Sequence, residues 1–253
     1  MQEYKVLVLI PARFESSRFP GKPLAPLKGK SMISRVLQNA QSISDSSIQI
    51  KAVVLTDDSR IEDHIKDMGG EVRRVDDDTV SGTDRIYLGY QRFFKEENWD
   101  LIINVQGDEP LLPGSEILEL AKFHLERDFD ICTMLRRESS FEHFADPNKV
   151  KTIFSEKTGE CHYFSRAPIP YSRDNSGEKF EGHWFFQAGV YSFLPKALVA
   201  FCQSKASYYE EIEKLEQLRA LEMGMRIGAY ETKTELFGVD TPEDVAVVEG
   251  VLD

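Results

Sequence analysis

Tyr4-Lys5-Val6-Leu7-Val8-Leu9-Ile10 leads directly into Pro11-Ala12-Arg13-Phe14-Glu15-Ser16-Ser17-Arg18-Phe19-Pro20-Gly21-Lys22-Pro23-Leu24. The first stretch holds six apolar residues in seven, far short of a membrane span or a signal-peptide core, and reads as a buried strand. Outward from it, short apolar runs alternate with helical patterns: Val6 to Ile10, Met32 to Ala40, Ala52 to Leu55, Ile61 to Met68, Glu71 to Val75 and Ile86 to Phe94. That rhythm predicts an α/β fold, a mostly parallel sheet with helices on both faces. Leu101-Ile102-Ile103-Asn104-Val105 is expected as a central strand, followed by a helix from about Ser115 to Glu126. Gly69-Gly70 closes a helix, and Pro110 and Pro113 stop a strand.

From about Ser139 to Gly182 the rhythm breaks into a polar region containing Pro and Gly, with short strands expected at Val150 to Phe154 and Cys161 to Phe164. It reads as an insertion at about 139–182 forming a small subdomain within a single domain spanning 1–253. Phe185 to Phe193 is a further expected strand. Tyr208 to Met223 reads as one amphipathic helix: Ile212, Leu215, Leu218 and Leu221 are apolar, Ser207 and Glu210 have capping-box spacing, and Gly224 is the stop. A strand near Arg226 to Tyr230 and a helix opened by Thr241-Pro242-Glu243-Asp244 complete the pattern.

The chain has 253 residues, 41% hydrophobic and 29% charged, enough to bury a sizeable core. A formal net charge of -12 argues against a general nucleic-acid binder, since phosphate neutralisation needs a basic face. No membrane association is expected either. Cys132, Cys161 and Cys202 lie far apart without C-x-x-C spacing, which suggests neither a disulfide framework nor a zinc cage and fits a reducing cytoplasm. His64, His124, His143, His162 and His183 lack metal-ligand spacing and read as surface or core residues.

Against this acidic background, residues 13–30 carry five basic side chains (Arg13, Arg18, Lys22, Lys28, Lys30) and one acid, Glu15. In an open α/β sheet ligands bind beyond the carboxyl ends of strands, so a basic, Ser- and Gly-containing loop at that place suits a polyphosphate. A Walker A loop is excluded: Ser16 stands where its first glycine belongs, and Pro23 where Ser or Thr would hold magnesium. Asn104-Val105-Gln106-Gly107-Asp108-Glu109-Pro110 follows the central strand, and a carboxylate there can reach a metal bridging phosphate oxygens. Gly238-Val239-Asp240-Thr241-Pro242 puts a second carboxylate, Asp240, just before a capped helix. Spacing does not show that the two meet.

Together with Ser81-Gly82-Thr83-Asp84-Arg85, Tyr163-Phe164-Ser165-Arg166-Ala167-Pro168-Ile169-Pro170 and Leu215-Glu216-Gln217-Leu218-Arg219, these stretches make the chain resemble the CMP-Kdo synthetases, the 3-deoxy-manno-octulosonate cytidylyltransferases, from Val6 to about Val248. The resemblance implies a Rossmann-like fold of the nucleotide-diphospho-sugar transferase type and transfer of CMP from CTP to an acidic ulosonic sugar for lipopolysaccharide biosynthesis. It further implies Arg13, Ser17, Lys22, Ser81 and Arg166 at the nucleotide, and Asp108 and Asp240 as ligands of Mg2+. Lys22, Asp108 and Asp240 are the expected catalytic set. Arg18, Arg85, Gln106, Gln187, Tyr191, Glu216 and Gln217 would line the sugar pocket, where guanidinium groups suit the sugar's carboxylate. A homodimer, with the insertion as its face, is also implied.

One position departs from the family pattern. A His in H-x-G-x-Y is usual where this chain has Gln187-Ala188-Gly189-Val190-Tyr191. Gln keeps hydrogen-bonding capacity without a titratable proton, which admits the 8-amino relative of the sugar as an alternative substrate. A CMP-sialic-acid-type enzyme is disfavoured by the Gln106 to Pro110 and Gly238 to Asp244 motifs. A catalytically silent nucleotide-binding module is disfavoured by retention of Lys22, Asp108 and Asp240 together.

Overall fold

β1 (Tyr4–Ala12) is buried without interruption from Val6 to Ala12, as a strand covered on both faces must be. The computed structural model describes residues 3–16, 18–173 and 182–252. Along the chain β1 is followed by β2 (Pro26–Leu27), β3 (Lys30–Ser31), α1 (Met32–Gln41), β4 (Ile48–Thr56), α2 (Ser59–Asp67), β5 (Val72–Arg74), α3 (Gly82–Phe93), β6 (Leu101–Asn104) and α4 (Gly114–Leu125). Next come β7 (Ile131–Glu138), α5 (Phe141–Ala145), β8 (Lys151–Ser155), β9 (Glu160–Ser165), β10 (Trp184–Phe193) and α6 (Pro195–Gln203). The last elements are α7 (Tyr208–Glu213), α8 (Gln217–Glu222), β11 (Ile227–Thr232) and α9 (Pro242–Val251). The fold is α/β with mixed strand pairing. Its contacts divide into two compact units, one made of the residues up to Ala121 together with those from Glu235 onward, the other of Lys122–Thr234.

In the first unit β4 and β6 flank β1 in parallel, and β5 lies outside β4 in the same direction. The chain therefore moves outward from β1 to β4 and β5, then returns to the opposite side of β1 as β6. Where strand order reverses in this way, the loops leaving the neighbouring carboxyl ends diverge and open a crevice. The loop after β1 and the turn after β6 are those two loops. α9 docks beneath the first of them: Val239 and Val248 pack with Leu27 and Met32, against Phe19, Phe237 and Val245. Thr241 and Asp244 form the capping box that starts α9, with Pro242 at its first turn, as the sequence indicates.

In the second unit β10 pairs antiparallel with β7 and β8, β7 runs parallel with β11, and β9 joins β11 to β8 antiparallel. The strands thus close into a circuit. The segment expected as an insertion contributes α5, β8 and β9 to this unit, with its residues 174–181 outside those described.

The single helix expected from Tyr208 to Met223 is instead two short helices broken at Lys214, whose φ is 53°. Tertiary hydrogen bonding explains the break. The Arg166 guanidinium donates to the carbonyls of Glu213 and Lys214, taking acceptors that a continuing helix would use.

His124 is a core residue, its ring held by Ser192 Oγ at 2.8 Å and the Phe129 carbonyl at 3.0 Å. Burial lowers its pKa from 6.5 to about 4 against the opposing Phe129 carbonyl and Asp130. The unfolded chain binds this proton more tightly, so the neutral ring's stabilisation is complete above pH 6.5 and lost as pH falls toward 4. That loss approaches about 3 kcal/mol. Urea midpoints at pH 7.5 and 5 should therefore differ more in the wild type than in His124→Gln; equal differences would refute the assignment.

Candidate active site

The loop after β1 is tied at its neck. Gly21 donates its N–H to the Phe14 carbonyl at 2.9 Å and adopts φ 72°, the left-handed conformation that glycine enters without a Cβ penalty. The Phe14 ring packs on Gly21 so closely that a Cβ there would lie 3.2 Å from it, and the Arg60 guanidinium stacks on the ring at 3.2 Å. Asp58 accepts from Arg60 and fixes it. A short 3-10 turn, Lys22–Leu24, then aims Lys22 back across the crevice.

The Lys22 ammonium donates to Asp108 Oδ2 at 2.5 Å and to the Val239 carbonyl at 2.8 Å, and lies 3.7 Å from Asp240 Oδ1. Its side chain is only 14% exposed, so this cluster feels less screening than a surface pair. Arg18 pairs with Asp240 at 3.1 Å, but both side chains are more than half exposed and the pair is worth about 1 kcal/mol or less. The backbone holds the carboxylates together, since Val239 N–H donates to the Asp108 carbonyl at 2.9 Å. Gly107 permits the approach of the turn to β1: a Cβ there would stand 2.8 Å from the Pro11 carbonyl oxygen.

These groups line a cleft of about 490 Å³ that includes Arg13, Glu15, Arg18, Lys22, Ser81, Gln106, Asp108 and Asp240. Ser81 faces it while its side chain accepts from Asp84 N–H as the N-cap of α3. Ser17, expected at the nucleotide, lies outside the described residues. Val80, 94% exposed, adds an apolar surface at the rim that the sequence reading did not single out.

Glu109 was also missed. Burial first, then the charges of Asp108 and Asp240, push its carboxyl up to about 8, against the pull of Lys22. Adjacent acids in one turn are the sequence signal, but which of them turns inward is a matter of packing against Gly238, whose Cβ would meet Glu109 Oε1 at 3.2 Å.

Arg85 departs from the sugar-pocket expectation. Its side chain is 1% exposed and donates to the Val75 carbonyl and to Asp57 at 2.6 Å, locking together the segments after β5 and β4. Burial lowers its pKa despite Asp57. It sits on the face of α3 that buries Ile86 and Gly89, so the helix turns it inward.

The second unit has its own cavity, of about 310 Å³, lined by Asn148, Arg166, Gln187, Tyr191, Glu216 and Gln217 among others. Four of the expected sugar residues thus share a wall, whereas Arg18 and Gln106 line the first unit's cleft. Arg166, expected at the nucleotide, belongs to this cavity. A bulge in β10 between Ala188 and Tyr191 shapes the wall, and Thr133 Oγ1 donates to the Ala188 and Val190 carbonyls across it. The Gln187 side-chain nitrogen donates to Thr133 Oγ1 at 3.0 Å and its oxygen accepts from Gln217 Nε2 at 3.2 Å. Tyr191 is buried, and burial with the nearby Glu216 charge holds its phenol well above the ordinary range. The cavity offers amide, carboxylate and phenol groups, chemistry suited to a polyhydroxylated ligand.

Residues 7–227 match the protein family described as Cytidylyltransferase. A 3-deoxy-manno-octulosonate cytidylyltransferase of Cytophaga hutchinsonii is 40% identical over 243 residues, covering 95% of this chain and 94% of its own. An 8-amino-3,8-dideoxy-manno-octulosonate cytidylyltransferase of Shewanella piezotolerans is 39% identical over 250 residues, 98% of each chain. Among solved structures, a CMP:2-keto-3-deoxy-manno-octonic acid synthetase complexed with CTP superposes with a TM-score of 0.88 at 31% identity, covering 98% of both chains.

Proposed function

This chain belongs to the 3-deoxy-manno-octulosonate cytidylyltransferases of the cytidylyltransferase family, and from that membership we propose that it transfers CMP from CTP to 3-deoxy-manno-octulosonate and releases pyrophosphate. The observation that carries the reading is the Lys22 ammonium set against Asp108 and Asp240 at the crevice between β1 and β6. The anomeric hydroxyl of the sugar attacks the α-phosphorus in line, the bond to the bridging oxygen breaks, and pyrophosphate leaves with the electron pair while the hydroxyl proton passes to solvent. Lys22 neutralises the charge that develops on pyrophosphate, and Arg13 and Arg18 add positive charge around the phosphates. The second unit's cavity takes the sugar, and Gln217 and Tyr191, which line it, bond its hydroxyls.

Asp108 and Asp240 fit a magnesium ion: both are hard oxygen donors, and both lie within 4 Å of one cation, Lys22. Mg2+ commonly takes one or two protein carboxylates and completes its octahedron with phosphate oxygens and water. When bound, it neutralises phosphate charge. The same proposal extends to a Rossmann-like core of the nucleotide-diphospho-sugar transferase type, the 139–182 insertion as a homodimer face, a cytoplasmic site of action and a product destined for lipopolysaccharide. Among the described residues no helix is long and apolar enough to cross a membrane.

The test is pyrophosphate release from CTP and Mg2+ with 3-deoxy-manno-octulosonate or its 8-amino analogue, against a no-sugar control. Preference for the first is expected. Preference for the amino sugar would transfer the assignment to it and make Gln187 the residue to exchange for His; release with neither would overturn the reading. Gln217→Ala should raise the KM for the sugar about tenfold while leaving the KM for CTP unchanged.

A further inference from the structure

Lys151 is fully buried, an uncommon position for an ammonium, and its surroundings show why it is tolerated. Its three N–H groups point to three main-chain carbonyls: Asp146 at 2.9 Å, Lys149 at 2.7 Å, and Arg166. Burial lowers its pKa, and the Arg166 charge adds to that, while the carboxylates of Asp146 and Glu213 oppose it and the three carbonyl dipoles hold the ammonium in place.

The three carbonyls come from two segments that wall the second unit's cavity, the turn 146–149 and the residue following β9. Arg166 passes the constraint onward. Its side chain donates to the Pro147 carbonyl at 2.9 Å and the Glu213 carbonyl at 2.6 Å, and its N–H donates to the Glu213 carboxylate at 2.6 Å. Those bonds set the left-handed turn at Lys214, from which Glu216 and Gln217 enter the cavity lining. Lys151 also stands opposite Phe186 in β10, and Gln187 N–H donates to the neighbouring Val150 carbonyl at 2.9 Å. The turn 146–149, Arg166 and, through Arg166, the turn at Lys214 are therefore within one or two hydrogen bonds of this ammonium, while the β10 wall is joined to the Lys151 strand by main-chain pairing.

We propose that Lys151 is a positioning residue for sugar recognition: its buried ammonium, behind the lining, fixes Arg166 and, through the turn at Lys214, Glu216 and Gln217 in the arrangement that binds the sugar. The inference rests on reading this cavity as the sugar pocket. Lys151→Met keeps an unbranched side chain, one atom shorter, and removes the donors. Its KM for 3-deoxy-manno-octulosonate should rise about tenfold or more, with the KM for CTP unchanged and kcat within about threefold of the wild type. Lys151→Gln, which keeps two donors, should fall between the two, and it decides the matter by the same readouts if the Met variant does not fold.

Gln217→Ala serves as the marker of the pocket itself. A wild-type sugar KM in the Lys151 variants beside a raised one in Gln217→Ala would overturn the positioning role and leave the pocket standing. Unchanged values in all of them would remove the pocket, and the proposal with it. Equal damage to the KM values for CTP and sugar would show a merely structural lysine and would also overturn it.

Discussion

Lys22→Met lowers kcat for pyrophosphate release by about a thousandfold, with a smaller rise in the KM for CTP. The magnitude follows from where the ammonium sits. It is only 14% exposed, on a loop whose neck is closed by the Gly21 to Phe14 hydrogen bond, and it follows a left-handed glycine and precedes Pro23. Such a charge is oriented before substrate arrives, so its attraction for developing charge on the leaving pyrophosphate is obtained without reorganisation. The charge-preserving Lys22→Arg should recover little, about tenfold at most, because a planar fork does not reproduce the contacts that a compact ammonium makes with Asp108 and the Val239 carbonyl. Either variant is measured by coupled pyrophosphate release at saturating CTP. Turnover near the wild-type value in Lys22→Met would withdraw Lys22 from the chemistry and leave it as a counter-ion for Asp108.

The parts of this site legible in the sequence are those whose signal is local. β1 and β6 stand out because strands buried on both faces need unbroken apolar runs, and the loops that follow them carry the charged residues. α9 is legible from its capping residues. β7 and α6 went unread: β7 ends in a polar stretch, Arg136-Arg137-Glu138, and α6 begins with Leu194 at the cap, without a side-chain hydrogen bond. The break at Lys214 is invisible to helical periodicity because its cause, Arg166, lies 48 positions away. Arg85 shows the same limit in another form. Its neighbours Ile86 and Gly89 mark the inward face of α3, and that face, rather than the Ser81 to Arg85 motif, decides where its guanidinium goes. The meeting of Asp108 with Asp240 depends on the return of the chain after β11 to the first unit, a fact of topology that no spacing rule contains.

Asp108→Asn and Asp240→Asn test that meeting. Each keeps the side chain's size and removes one negative charge, and each should lower kcat/KM about a hundredfold or more while raising the Mg2+ concentration needed for half-maximal activity. Asp108 should be the more sensitive, because it is less exposed, 30% against 56%, and so is less screened by water. Losing the exposed Arg18 pair contributes little to the Asp240 effect. Because both carboxylates act on the same small region of charge, their losses should not multiply: the double variant should be only slightly worse than Asp108→Asn. Activity measured across a Mg2+ titration, with EDTA as the zero point, reads all of these together. Multiplicative losses would mean that the two acids serve separate steps. Full activity in EDTA would remove the metal from the reaction, and would leave Lys22, Arg13 and Arg18 to balance the charge of a triphosphate between two unneutralised acids, which is an arrangement too negative to favour binding.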